Sequence, residues 1–152
     1  MRAELLGERE VRTFLLVFET GDEAVAGLLK FAREYGIAGA HFTAIGSFER
    51  ATVGYFDVEK KDYERLEIDE QVEVISLVGN LALYDGGPRL HAHVVIGKRD
   101  GTAHGGHLLE GRVRPTLEIF LTDTGRAIRR RLDEATNLPL IDLATDAPAD
   151  GE

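Results

Sequence analysis

Most of the chain between residues 11 and 123 consists of segments with the composition of β-strands, and this feature excludes an all-helical fold. The segments are rich in β-branched and aromatic residues, and Gly- or Asp-containing breaks separate them. They are VRTFLLVF, AHFTAIGS, ATVGYFDV, DYERLEID, QVEVISLVGNLALY, RLHAHVVIG and VRPTLEIFLTD. We expect the long fifth segment to bend or bulge at Gly79. Asp100-Gly101 predicts a tight hairpin between the last two segments.

One stretch has helical periodicity instead. Its apolar residues recur every three or four positions, which predicts a helix from about Glu23 to Tyr35, with Asp22 as the N-cap and Gly36 as the stop. One helix among many strands and 17 glycines predicts an α+β fold, a mostly antiparallel β-sheet with one main α-helix. The apolar residues are Val25, Leu28, Leu29 and Ala32.

The length of 152 residues suits one domain, and no low-complexity linker divides the chain. We therefore predict a single domain over residues 1–140 and a disordered acidic tail over residues 141–152. No apolar run approaches the roughly 20 residues of a membrane span. Without a signal peptide or cysteine, a cytoplasmic location is expected, with no membrane partner. The absence of cysteine also restricts any metal to His, Asp or Glu ligands.

The formal net charge of −9 disfavours a nucleic-acid-binding protein, which usually presents a basic face. Six arginines nevertheless fall within residues 112–131. We interpret RAIRRRLDE as a short helix or turn whose arginines pair with acidic residues in solvent. The alternative is a nucleic-acid surface. The total charge favours the first interpretation, so we predict that DNA binds weakly or not at all.

Four of the five histidines lie within residues 89–111. Because side chains two apart on a strand share a face, His91 and His93 should project side by side. His107 follows the predicted hairpin, and Gly105 and Gly106 should allow close backbone approach and positive φ. Three imidazoles with an open coordination position suit zinc, although nickel, cobalt or copper are alternatives.

Simpler roles compete with metal binding. Paired strand histidines often only form hydrogen bonds. His104 is predicted to be exposed in the turn. His41 is predicted to be a core or interface residue with its hydrogen bonds satisfied. Acid–base or supporting carboxylates near the metal would come from three glutamates, which could equally form ion pairs with arginines. These are Glu73, Glu110 and Glu118. The sequence contains no Gly-x-Ser-x-Gly nucleophile elbow and no phosphate-binding loop.

Several motifs in a fixed order resemble the PPC domain (plants and prokaryotes conserved, also called DUF296). They are VRTFLLVFETGDE, AIGSF, EVISLVGNLAL, LHAHVVIGKRDGTAHGGHLLEG and TLEIFLTD, and they cover about residues 10–122. The resemblance implies a single helix packed on antiparallel sheet, a homotrimer, and a divalent metal on His91, His93 and His107. In plant relatives the domain follows an Arg-Gly-Arg-Pro AT-hook that enters DNA, and this sequence lacks such an element.

Three functions are consistent with this sequence. The first is a trimeric metal-binding protein whose site steadies the fold or binds a small polar or anionic ligand. The second is a metal-dependent hydrolase with a nearby glutamate as base. The third is a DNA-binding or transcription-associated interaction module like the plant relatives.

Overall fold

The computed structural model describes the backbone of residues 2–5 and all atoms of residues 11–143. Its strands are β1 (Arg2–Leu5), β2 (Arg12–Glu19), β3 (Gly39–Asp57), β4 (Asp62–Ile68), β5 (Val72–Tyr84), β6 (Gly87–Gly97), β7 (Ala103–Asp123), β8 (Arg130–Asp133) and β9 (Leu138–Ile141). The helix α1 spans Ala24–Glu34. Within the described residues this is a mostly antiparallel sheet with one short helix, as predicted.

Seven strands form one antiparallel sheet in the order β1-β2-β7-β6-β5-β3-β4, and β7 also pairs with β3. Because β3 also pairs with β5, the strands β3, β5, β6 and β7 close into a ring. The ring therefore has an inner and an outer face. Strands β8 and β9 form a separate hairpin, which is tied to β5 by a hydrogen bond from Leu83 N to Ile128 O of 2.7 Å.

Alternation along the strands sends apolar side chains inward. In β7, Leu117, Ile119 and Leu121 are fully buried, whereas Glu118 and Phe120 face outward. The helix α1 lies against β6 and β7 and contributes Leu28 and Phe31 to the same core. Regular alternation over long strands thus fills the inside of the ring with apolar side chains.

The helix begins one residue later than predicted, and its N-cap is Glu23 rather than Asp22. The Glu23 carboxylate accepts hydrogen bonds from Val25 N and Ala26 N. It also accepts one from Gly111 N at 3.0 Å, so the longer side chain caps the helix and ties it to β7. The Asp22 carboxylate instead accepts a hydrogen bond from Glu19 N in the preceding turn.

Two strand predictions were wrong in detail. The segments AHFTAIGS and ATVGYFDV are one continuous strand, β3. The irregularity of β5 against β6 lies between Val74 and Ser76 rather than at Gly79. At Gly79 a Cβ would lie 2.5 Å from His91 O and 2.6 Å from the Phe42 ring, so close packing is what requires glycine there.

The stretch RAIRRRLDE is not helical: it contains β8, which pairs with β9 through an Asn137-containing turn. Tertiary pairing with β9 and β5 overrides its helix-compatible composition. The predicted tail from residue 141 falls mainly outside the described residues, since Ile141 ends β9 and residues 144–152 are not described. The prediction of one domain over residues 1–140 stays a prediction. Within the described chain, no helix has the length and hydropathy to cross a membrane.

Candidate metal centre

Strand β6 places two histidines on the outer face of the ring. Leu90, Ala92 and Val94 are buried, and the intervening His91 and His93 are exposed. The alternation follows from the two-residue period of a strand, because the apolar set must face the core. The two imidazoles lie with their Nε2 atoms 3.1 Å apart. The sequence prediction that they share a face is thus confirmed.

His107 joins them from the neighbouring strand. The β6–β7 hairpin turns at Gly101, whose φ is +84°, and the register that follows sets His107 directly opposite His93. Gly106 lies against β3, where an added Cβ would be 2.7 Å from Gly54 O. Close backbone approach at Gly106 is therefore confirmed, but neither Gly105 nor Gly106 has positive φ.

The three rings form a compact triangle. Centroid distances are 5.1 Å between His91 and His93, 5.3 Å between His91 and His107, and 5.5 Å between His93 and His107. One ligand atom from each lies within 4.8 Å of the other two. Two nitrogens bound to tetrahedral zinc are about 3.3 Å apart, given Zn–N bonds of about 2.05 Å. The cluster could therefore hold a metal ion with little adjustment.

The surroundings of His91 and His107 favour the neutral imidazole, which is the form that binds metal. Burial, reinforced by His91, His93 and Arg89, lowers the pKa of His107 to about 4. Burial also lowers the pKa of His91, with smaller contributions from His93 and Arg130. A lone pair is consequently available on His91 and His107 near neutral pH without competition from a proton.

Three further side chains border the histidines, and none of them was predicted from the sequence. The Tyr63 ring lies 4.8 Å from that of His107, and its hydroxyl oxygen lies 3.4 Å from His107 Nδ1. Arg89 and Arg130 line the same cavity of about 240 Å³. The period of two that selects His91 would also have indicated Arg89. Tyr63 on β4 and Arg130 on β8 arrive through tertiary pairing, for which the sequence carries no local signal.

The structure places the three glutamates elsewhere. Glu73 pairs with Gly97 at the far end of β6, Glu110 pairs with Thr52, and Glu118 pairs with Val17 and Ile45. All three are exposed, and none lines the cavity that holds His91 and His107. Their acid–base or supporting role stays a prediction.

The remaining two histidines lie apart from the cluster. His41 is exposed on β3, so it is not a core residue. His104 is half-buried inside β7 opposite Ile96, rather than exposed in the turn, because β7 begins immediately after the turn at Ala103.

A family profile described as the Plants and Prokaryotes Conserved (PCC) domain matches residues 6–125. No curated protein matches the sequence. Among solved structures, a plant- and prokaryote-conserved (PPC) protein of Pyrococcus horikoshii is 36% identical, with a TM-score of 0.81 and coverage of 93% of this chain and 94% of the other.

Two further solved structures are similar. A metal-containing protein of Archaeoglobus fulgidus is 38% identical, with a TM-score of 0.80 and coverage of 93% of this chain and 98% of the other. A candidate DNA-binding protein of Bacteroides thetaiotaomicron is 25% identical, with a TM-score of 0.85 and the same two coverages. Both share the fold over almost the whole of their length.

Proposed function

Because this chain belongs to the plants and prokaryotes conserved domain family, we propose that it is a metal-binding protein whose His91, His93 and His107 hold one divalent ion, with zinc the first expectation. The observation that carries the proposal is the triangle of imidazoles, whose ligand atoms lie within 4.8 Å of one another. The similarity to a metal-containing archaeal protein supports it.

A bound divalent ion would supply Lewis acidity at the mouth of the cavity. The chain's own contribution is to hold three imidazoles on neighbouring strands, beside a cavity lined by Arg89 and Arg130 that can take a small polar or anionic ligand. A hydrolase would also need a general base at the metal. No carboxylate among the described residues lines the cavity, so the geometry favours metal-dependent ligand binding over hydrolysis.

Metal analysis of the purified protein tests the proposal directly. We expect close to one zinc ion per chain after dialysis against zinc, and none in the His91→Ala variant. His41→Ala is the matched control, because His41 is an exposed strand histidine outside the cluster. Equal metal content in His91→Ala and the unmodified protein would contradict the assignment.

Chelation then separates a structural metal from a ligand-binding one. A metal that steadies the fold raises the free energy of unfolding by RT ln(1 + [metal]/Kd), or about 2.7 kcal/mol at 100 times Kd. We expect this increase and an unchanged circular dichroism spectrum after chelation, because the core of the ring does not include the histidines. Loss of the folded spectrum on chelation would make the metal essential for folding.

We further propose a homotrimer in the cytoplasm. Large apolar side chains are exposed on the outer face of the sheet, a feature of interfaces rather than of monomer surfaces. They include Ile45 at 61%, Ile75 at 59% and Phe120 at 52% exposure. Light scattering should give three times the chain mass, and Phe120→Glu should lower it. A monomeric unmodified protein would exclude the trimer.

One relative is described as a candidate DNA-binding protein, so DNA binding is the competing function. The net charge of −9 opposes it, since binding requires cationic groups that neutralise phosphates. We expect no complex with duplex DNA at about 50 mM salt, and none at 200 mM. Tight binding at the lower salt that weakens at the higher would favour the DNA-binding function.

A further inference from the structure

Two guanidinium groups stand beside the histidine cluster. Arg89 lies two residues before His91 on β6, so both project from the outer face. Arg130 comes from β8: its Nη1 donates to Pro139 O at 2.9 Å and its Nη2 to Asn80 Oδ1 at 2.5 Å. Its Nε is buried and has no hydrogen-bond partner among the residues that the structure describes. Asn80 in turn pairs with His91, which links the two sites.

Within the described part of the chain, no carboxylate balances these charges. Among residues 11–143, no carboxylate lies within ion-pair distance of Arg89 or Arg130. No carboxylate lines their shared cavity either. Burial lowers the pKa of Arg130, and the nearby charge of Arg89 lowers it further. Arg130 is half-buried, and a half-buried cation normally has an anionic partner, so the lack of one among the described residues points to a ligand.

Part of the cavity lining is an apolar wall of three leucines. Leu109 of β7 lies beside the histidines, and the β8–β9 hairpin contributes Leu138 and Leu140. The volume of about 240 Å³ is below the roughly 300–1,000 Å³ of sites for drug-sized ligands. A ligand that fits must therefore be small, carry an anionic head and have a short apolar body.

We propose that this cavity binds a small aliphatic carboxylic acid, with its carboxylate on Arg89 and Arg130 and its carbon chain against Leu109, Leu138 and Leu140. Arginine pairs with carboxylates through parallel hydrogen bonds, and each Arg130 Nη has a second N–H beyond the one it donates to Pro139 O or Asn80 Oδ1. Inorganic phosphate would meet the arginines equally well but would leave the leucine wall without a contact. That the carboxylate lies next to a metal ion rests on the proposed metal site. That the two arginines bind the carboxylate does not depend on the metal.

Titration with butyrate, followed by protein amide chemical shifts, tests the proposal on metal-free and zinc-loaded protein. Butyramide is the uncharged control, and inorganic phosphate is the control without a carbon chain. We expect butyrate to bind both protein forms and each control to bind at least about 10-fold more weakly. Butyramide lacks the charge that strengthens hydrogen bonds to arginine, and phosphate lacks the carbon chain that contacts the leucines. The shifts should centre on β6 and on the β8–β9 hairpin.

Matched arginine variants assign the head group. Arg130→Gln should weaken butyrate binding about 10-fold or more. The neighbouring Arg131→Gln should leave it unchanged, because the Arg131 side chain is 79% exposed and pairs with Asp142. Arg89→Gln provides a second test if Arg130→Gln fails to fold, since Arg89 is exposed and makes no described hydrogen bond that the fold needs.

The outcomes separate this proposal from that of the metal site. Butyrate binding that persists without zinc and is lost in Arg130→Gln supports the carboxylate site, even if the histidines bind no metal. Binding that needs zinc and ignores both arginine variants overturns it, while the metal site stands. Equal binding of butyramide, or tight binding of phosphate alone, also overturns it, as does the absence of butyrate binding to either form.

Discussion

Strand β6 has two faces whose residues alternate in the sequence and differ in almost every property. The inner face carries Leu90, Ala92, Val94 and Ile96, with exposures of 9%, 1%, 2% and 0%. The outer face carries Arg89, His91 and His93, which are exposed and border the cavity or the histidine cluster. Adjacent residues thus serve different ends: one set stabilises the ring, and the other is available for ligands. Stability and binding should therefore be separable by substitutions one to three residues apart.

The largest effect should follow a change on the inner face. Ile96→Ala removes a fully buried side chain and leaves a cavity, which costs about 2–5 kcal/mol of unfolding free energy. Urea unfolding of the metal-free protein measures it. Val95→Ala is the control on the outer face, because Val95 is 41% exposed, and it should cost less than about 1 kcal/mol. Similar losses at both positions would contradict the separation of the two faces.

His93→Ala should leave the stability almost unchanged and weaken metal binding. The metal-free protein should keep its unfolding free energy within about 0.5 kcal/mol, because His93 is exposed and outside the core. Zinc affinity should fall by more than about 100-fold, since loss of a ligand exceeds the loss of a supporting group. Competition with a chelating indicator gives the affinity. A destabilisation as large as that of Ile96→Ala would show that the outer face also stabilises the fold.

His107 should make the stability of the metal-free protein depend on pH. Its pKa is lowered from 6.5 to about 4 in the folded chain, so the unfolded chain binds a proton first as the pH falls. The contribution of His107 to the free energy of unfolding is fully present above pH 6.5. It is lost as the pH falls from 6.5 to about 4, and it does not change further below that value. The free energy of unfolding, measured across this pH range, should fall less steeply with decreasing pH in His107→Gln than in the unmodified protein. Parallel curves for the two proteins would contradict the burial of this imidazole.

The smallest effect is expected at Tyr63, which borders the site without being a ligand. Tyr63→Phe keeps the ring against His107 and removes the hydroxyl that lies 3.4 Å from Nδ1. Zinc affinity should fall about 10-fold, the low end for a group that orients a ligand, because the contact is long. The control is Tyr55→Phe, since Tyr55 is 72% exposed. A loss as great as that in His93→Ala would make Tyr63 a direct ligand.

Local pattern was sufficient for the parts of the site that lie on one hairpin. The alternation of LHAH places two imidazoles on one face, and Asp100-Gly101 returns the chain so that His107 can meet them. The site residues that come from distant strands could not be predicted from the sequence, for a physical reason. Tyr63 reaches His107 only because β3 pairs with both β4 and β7, and nothing in DYERLEID specifies that arrangement.

The arginine-rich segment shows where composition misleads. RAIRRRLDE suits a solvated helix, yet the chain there pairs with β9 and approaches β5. The matched family region ends at residue 125, so this hairpin lies beyond it. The hairpin nevertheless supplies Arg130 and the leucine wall of the cavity. Half of the proposed ligand site therefore comes from a segment whose charge pattern predicts only a solvated surface.

The sequence by itself determined the strand-rich architecture, the single helix and the shared face of His91 and His93, because each depends on periodicity within a few residues. Tertiary structure alone decided the closure of the ring through the β7–β3 pairing, the capping of α1 by Glu23, and the arrival of Arg130 beside the histidines. These features depend on contacts between distant segments, and such contacts are selected by the packing of the whole core rather than by any local pattern.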